Sequence, residues 1–279
     1  MRAIILLSLL VLVIASSGCV SQTQTGVGYD TGIKILNFEP EMDSVSSGES
    51  LNFQLRLKNM GSFEVSDAKA HMELGEWTCN SASESFRLVA PDPDAATEGE
   101  ERAFSWKCTA PTIQQGMKIP YDARAEVEYK YKSISSQSLT VVPTSELISL
   151  KNAGRSLPSE SESQSHSPVK LDIEVKGPIR LKDGGSAEFP VMIKISNIGG
   201  GIVKDSQIDL KVEGAGAIIK QGSDCDQRAL ALWKGQSQTI TCQMSANRVD
   251  SMTVSRIVAT AEYSYIISSS AKVEVTGTQ

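Results

Sequence analysis

The residues of this 279-residue chain best able to do chemistry are five cysteines and two histidines. The cysteines are Cys19, Cys79, Cys108, Cys225 and Cys242. The last four allow three disulfide pairings. An oxidising compartment closes such pairs. The rival chemistry is zinc, which asks for closely spaced ligands such as Cys-x-x-Cys, often with histidine. The chain has no Cys-x-x-Cys, and His71 and His166 do not stand at ligand spacing from any cysteine. A dithiol redox pair lacks its spacing for the same reason. Serines are plentiful, yet there is no Gly-x-Ser-x-Gly elbow to aim a nucleophile, and the two histidines complete no triad. Paired carboxylates for glycoside hydrolysis look, in sequence, like ordinary solvated strand-face Asp and Glu. The loop Pro91 to Glu101 carries Asp92, Asp94, Glu98, Glu100 and Glu101, but without the regular ligand spacing of a calcium loop. The expectation is a protein that is not an enzyme and carries no cofactor and no metal.

The N-terminus reads MRAIILLSLLVLVIASSGC. Arg2 is followed by an apolar run of 13 residues, Ala3 to Ala15, broken only by Ser8. At ~1.5 Å per residue such a run is short for a ~30 Å hydrocarbon core, and it has the length of a signal-peptide h-region. Ser16, Ser17 and Gly18 then lead to Cys19. This resembles a lipoprotein signal, although Ser16 stands where Leu is preferred. The resemblance implies cleavage after residue 18 and a lipid on Cys19. An ordinary secretory signal or a retained anchor are the other readings. Residues 19–31 are polar and Gly-containing and read as a flexible tether.

Net charge is −6 and aromatic residues are 5% of the chain. A nucleic-acid binder needs a basic patch to displace counterions from phosphate, so that class is disfavoured.

The elements that must position the cysteines come as one module, present twice. Residues 32–142 and 169–279 share an alternating strand, an Asn-x-Gly break, a second strand, a cysteine pair and a closing Tyr-x-Tyr stretch. In the first copy Leu51, Phe53, Leu55 and Leu57 alternate with polar residues, then Asn59-Met60-Gly61, then Ala68, Ala70, Met72 and Leu74. In the second, Phe189, Val191, Ile193 and Ile195 precede Asn197-Ile198-Gly199 and Ile208, Leu210 and Val212. Period two marks strands with one buried face, which puts His71 on the solvent side. The repeat favours Cys79 with Cys108 and Cys225 with Cys242, with a tryptophan packed near each pair. Each copy ends in what reads as a hairpin: Tyr129 and Tyr131, or Tyr263 and Tyr265, face inward, then a Ser-rich turn, then a final strand. Residues 143–168 lose the pattern and read as a Ser-rich exposed linker carrying His166, although SELISLKNAG allows a brief helix or strand.

About seven short strands per module predict an all-β chain of two tandem immunoglobulin-like antiparallel β-sandwiches. The turn, strand, Asn-x-Gly and strand series in each copy resembles the adhesion-type (CARDB-like) immunoglobulin-like domains of archaeal and bacterial surface proteins. That resemblance implies cell-surface display and contacts with a surface protein or polymer, and transfers no catalytic residue. The resulting expectation is an extracytoplasmic protein held to the membrane by its lipid and acting in adhesion, envelope structure or protein assembly. The alternative is an accessory or ligand-capturing subunit of a membrane transport or secretion complex.

Overall fold

A computed structural model describes residues 31–80, 83–182, 185–220, 225, 230, 232 and 236–278. The signal peptide 1–18, Cys19, almost all of the tether and Trp233 lie outside the described residues. Among the described residues no helix is long and apolar enough to cross a membrane.

Among the described residues the chain is all-β apart from one short helix. The order is β1 (Ile33–Pro40), β2 (Ser44–Ser46), β3 (Ser50–Asn59), β4 (Val65–Glu73), β5 (Thr78–Cys79), β6 (Ser83–Leu88), β7 (Glu101–Thr109) and β8 (Lys118–Pro143). Then come α1 (Thr144–Asn152), β9 (Glu162–Gln164), β10 (Val169–Glu174), β11 (Ile179–Leu181), β12 (Ala187–Asn197), β13 (Ile202–Ala215), β14 (Ile218–Lys220), β15 (Ser237–Ala246) and β16 (Thr253–Thr276). Two four-stranded sheets have the orders β1-β3-β7-β5 and β10-β12-β15-β14. An eight-stranded sheet runs β13-β16-β8-β4-β6, with β2 added to β16 and with β9 and β11 added to β8.

Alternation decides which side of each strand is dry. Leu51, Phe53, Leu55 and Leu57 of β3 are all buried, as are Val191, Ile193 and Ile195 of β12. Between them Gln54, Arg56, Met192 and Lys194 are exposed. Phe86 of the eight-stranded sheet meets Phe104 of the first four-stranded sheet at 5.0 Å between ring centroids. Trp77 similarly meets Tyr121 at 6.0 Å. Each four-stranded sheet thus closes over one half of the long sheet, giving two lobes with a continuous hydrophobic core.

The expected hairpins do not form. β8 is one strand of 26 residues and β16 one strand of 24, and they pair antiparallel with each other from Lys118 opposite Thr276 to Val141 opposite Thr253. The residues after Tyr131 therefore cross into the second lobe, and those after Tyr265 cross into the first. A tight reversal needs Gly, Asn or another residue that tolerates positive φ. Neither YKYKSISSQS nor YSYIISSSA supplies one. The inward serines fit a straight strand because their rungs are equally small: Ser133 faces Ala261, Ser135 faces Ala259, and Ser269 faces Ala125.

The tyrosine rungs lie midway along the paired strands. The segment 143–168 is also docked rather than loose. It holds α1 and β9. Ser161 N–H donates to Ser138 Oγ at 2.6 Å, and Ser62 N–H donates to the His166 carbonyl at 3.0 Å.

Candidate functional site

The centre of the molecule is a cluster of four tyrosines. Tyr129 stands opposite Tyr265 and Tyr131 opposite Tyr263, with Lys130 opposite Ser264 between the two rungs. Neighbouring rings meet edge to face at centroid separations of 5.7, 5.9 and 6.1 Å, a geometry favoured by the ring quadrupoles. All four rings are buried.

Each hydroxyl reaches off the sheet and accepts a backbone N–H. Ile33 donates to Tyr129 at 3.2 Å, and Val169 donates to Tyr263 at 3.3 Å. Those donors open β1 and β10, equivalent strands of the two lobes. Phe63 donates to Tyr131 at 3.1 Å, and Gly201 donates to Tyr265 at 3.1 Å. Those donors follow the two Asn-x-Gly breaks. The asparagines are buried and satisfied, as buried amides must be. Asn59 Nδ2 donates to the Phe63 carbonyl at 2.9 Å and Asn197 Nδ2 to the Gly201 carbonyl at 3.0 Å. The glycines are required by close approach. A Cβ on Gly61 would collide with the Tyr131 hydroxyl, and one on Gly199 with the Tyr265 hydroxyl.

Burial fixes the chemistry of these phenols. It pushes Tyr131 and Tyr265 up to about 12, and Tyr129 and Tyr263 further in the same direction. At neutral pH all four are uncharged hydrogen-bonding groups, neither bases nor nucleophiles. Tyr129 and Tyr263 tie β1 and β10 to the shared sheet, and Tyr131 and Tyr265 tie down the segments that follow the two Asn-x-Gly breaks.

Lys130, Lys132, Glu262 and Ser264 alternate with the tyrosines and line a cleft of about 490 Å³ on the outer side of this waist. Phe63, Glu64 and Ser66 contribute one wall, and Lys204, Asp205, Gln207 and Asp209 the other. The second wall is a bulge. Val203 pairs with Tyr265 and Ile208 with Tyr263, so the residues between them loop out of the ladder. Asp205 and Ser206 there adopt φ of 52° and 53°, the left-handed region that L-residues seldom occupy.

The cations of the cleft are already engaged. Lys130 Nζ is 2.8 Å from Asp67 Oδ2, and the contact raises the lysine and lowers the carboxylate from their ordinary values. Lys204 Nζ donates to both Glu128 oxygens at 2.7 Å, which raises it likewise. Lys132 Nζ sits 4.6 Å above the Phe63 ring centroid, a cation–π contact. Such a surface can recognise a polar partner of mixed charge. The cleft had one sequence signal: the period-two run breaks between Val203 and Ile208, as an insertion into a strand must.

The residues singled out in the sequence take separate places. Cys79 and Cys108 are opposite each other on β5 and β7 and form a disulfide. The second expected bridge is absent: Cys225 is a buried thiol. The physical reason is register. Cys242 lies in β15 opposite Val191 on one side, while β14 ends at Lys220 opposite Met244 on the other. Cys225 comes after that end, and among the described residues no ladder holds it against Cys242.

His71 is outward on β4, its Nε2 3.6 Å from Glu73. His166 is exposed. Carboxylates of the acidic loop turn to the cationic side chains of β3: Glu98 and Glu101 pair with Lys58, and Glu101 also with Arg56. Among the described residues no group of three or more His, Cys, Asp or Glu could hold a metal ion.

No family model matches the chain, and no curated protein matches it. Among solved structures, a point mutant of alpha-2-macroglobulin from Salmonella is similar at a TM-score of 0.25 and 9% identity, over 88% of this chain and 23% of that one. The chain thus spans less than a quarter of that protein, and the likeness carries no argument about fold or activity.

Proposed function

We propose that this is a non-enzymatic, extracytoplasmic protein, lipid-anchored through Cys19. Two tandem immunoglobulin-like sandwiches act in it as one body in adhesion, envelope structure or protein–protein assembly. One observation carries the reading: every residue of β16 pairs with β8 across both lobes. A continuous sheet leaves no hinge between the lobes, so the pair presents a fixed surface rather than a cleft that opens and shuts on a substrate. The groups at the waist suit this role. Its tyrosines are neutral and consumed by backbone N–H groups, and Lys130 and Lys204 are held by carboxylates.

The deciding experiment is crosslinking of the membrane-bound protein followed by partner identification. Recovery of surface or envelope proteins supports the reading, and robust turnover in a glycan and ester substrate screen overturns it. One dominant transport or secretion partner would move the assignment to an accessory subunit. Intact mass of the membrane-extracted protein tests the anchor separately: it should show loss of residues 1–18 and gain of a lipid.

A further inference from the structure

We infer that the open edge of β16 in the first lobe, from Ser268 to Lys272, is a docking slot where an extended segment of a partner protein pairs as an added strand. The two long strands correspond residue for residue, Tyr131 to Tyr265, at an offset of 134 (265 − 131). On the side of β8 away from β16, β9 covers Ser135 to Gln137 and β11 covers Val141 to Pro143. On the side of β16 away from β8, β13 reaches Ile266 and β2 begins at Glu274. Val45 opposite Val275 thus corresponds to Ile179 opposite Val141. Among the described residues nothing corresponds to β9. Exposure records the gap. Ser135 is fully buried beside β9, whereas its counterpart Ser269 is half-buried and Ser268 and Ser270 are exposed. A second mark lies beside the strand. Ser62, after the first Asn-x-Gly break, holds the segment that follows β9: its N–H donates to the His166 carbonyl at 3.0 Å, and its Oγ accepts the His166 N–H at 2.8 Å. Its counterpart after the second break is Gly200, where a Cβ would meet only open space.

Parity fixes which main-chain groups the slot presents. Glu274 N–H donates to the Asp43 carbonyl at 2.9 Å on this side. Main-chain groups alternate sides along a strand, so Lys272, Ser270 and Ser268 turn their N–H and C=O to the same edge. Such a row is a template for another strand unless proline, a bulge or a cover blunts it. The slot has no proline, and β16 keeps one unbroken register with β8 from Thr253 to Thr276. The second lobe shows what fits. There Ser165 N–H donates to the Ile134 carbonyl at 2.9 Å, and Ser138 N–H to the Ser161 carbonyl at 2.8 Å. The rungs are alike, Ser135 and Ser136 in β8 against Ser269 and Ser270 in β16. The occupant is therefore a short extended segment with small polar side chains, held by its main chain as in other strand additions. Lys272, exposed at one end of the slot, favours an acidic segment, as Glu160 and Glu162 make the chain around β9. This names the surface for the proposed assembly and rests on that reading only for the partner being a protein.

The test is amide hydrogen exchange, read by NMR on the full chain, with a synthetic peptide of residues 160–166 as the probe strand. Without peptide the Ser268, Ser270 and Lys272 amides should exchange quickly, while Ser269 and Ala271, turned toward β8, stay protected. Saturating peptide should slow the first three by roughly tenfold or more. The same peptide N-methylated at Ser163, which blocks a main-chain donor on its pairing side, should not. Ser270→Pro removes one edge N–H and leaves the ladder to β8 intact, so it should weaken binding at an unchanged denaturation midpoint. Should that variant fold poorly, the N-methylated peptide still decides. No slowing, or equal slowing by both peptides, would overturn the inference. So would protection before peptide is added. If that protection grows with protein concentration the occupant is a second copy, and if it vanishes when the chain begins at residue 31 the occupant is the chain's own leading segment. Failure here leaves the crosslinking result for the assembly reading untouched, so the two readings fail separately.

Discussion

In the first lobe Cys79 stands opposite Cys108 and the two are bridged. In the second, Cys242 lies in β15 while Cys225 follows five residues after the end of β14 (225 − 220) and remains a thiol. At the waist the same two lobes agree. Ile33 to Tyr129 matches Val169 to Tyr263, and Phe63 to Tyr131 matches Gly201 to Tyr265. The difference has a mechanical origin. β8 and β16 are each other's partners, so a shift in either strand moves the rungs of both lobes together. The four-stranded sheets share no ladder and can diverge separately. The agreement is thus a property of the shared sheet, and the divergence a property of sheets that face only their own lobe.

The largest effect should come from cutting that coupling. Deleting residues 266–279 removes the strand lying between β8 and β2 in the first lobe. Self-contained lobes would confine the damage to the second. The shared sheet places it in the first, more than a hundred residues away in sequence: Trp77 and Trp106, now buried, should become accessible to fluorescence quenchers and proteases. Retention of their buried emission would break the comparison.

Alkaline pH should act on both lobes at once. A phenol whose folded value is raised binds its proton in the folded state after the unfolded chain has released it. Its stabilisation is therefore complete below pH 10 and falls as pH rises from 10 toward 12. For Tyr131 and Tyr265, both pushed up to about 12, the loss is about 3 kcal/mol each. A pH series of denaturation midpoints should show that decline, and Tyr131→Phe and Tyr265→Phe should flatten it by similar amounts.

The cysteines test the divergent sheets. Replacing Cys79 and Cys108 with Ala should cost about 2–4 kcal/mol in urea denaturation under oxidising conditions. The same change at Cys225 and Cys242 should cost less, because no bridge is lost there. Equal costs would erase the difference between the lobes.

The smallest effect belongs to the cleft. Lys130→Ala should return the Asp67 carboxyl toward its ordinary range. The pair is exposed, so its contribution should be slight, diminish with added salt, and disappear as pH falls through the carboxylate's depressed range. Carboxyl NMR titration of Asp67 reads this directly.

Much of the local structure was legible in the sequence. The alternation at Leu51 to Leu57 and at Phe189 to Ile195 identified buried faces. The inward tyrosines, outward His71 and the pairing of Cys79 with Cys108 followed from parity and repetition. The bulge at Lys204 to Gln207 was harder, because an insertion breaks the period without announcing what the looped residues will line. The second cysteine pair was misread because a repeat in sequence does not guarantee an equal register beyond a short strand such as β14.

By itself, the sequence determined which side of each strand is dry, since side chains alternate strictly across a sheet. It also determined that Tyr129, Tyr131, Tyr263 and Tyr265 share a role, since equal spacing on equal strands puts them on equal faces. Only the tertiary structure decided which strand pairs with which. A period-two pattern is satisfied equally by a strand from its own repeat and by one from the other repeat. Where YKY and YSY lack a residue able to reverse the chain, the strands run on, and each lobe is completed by the other's last strand.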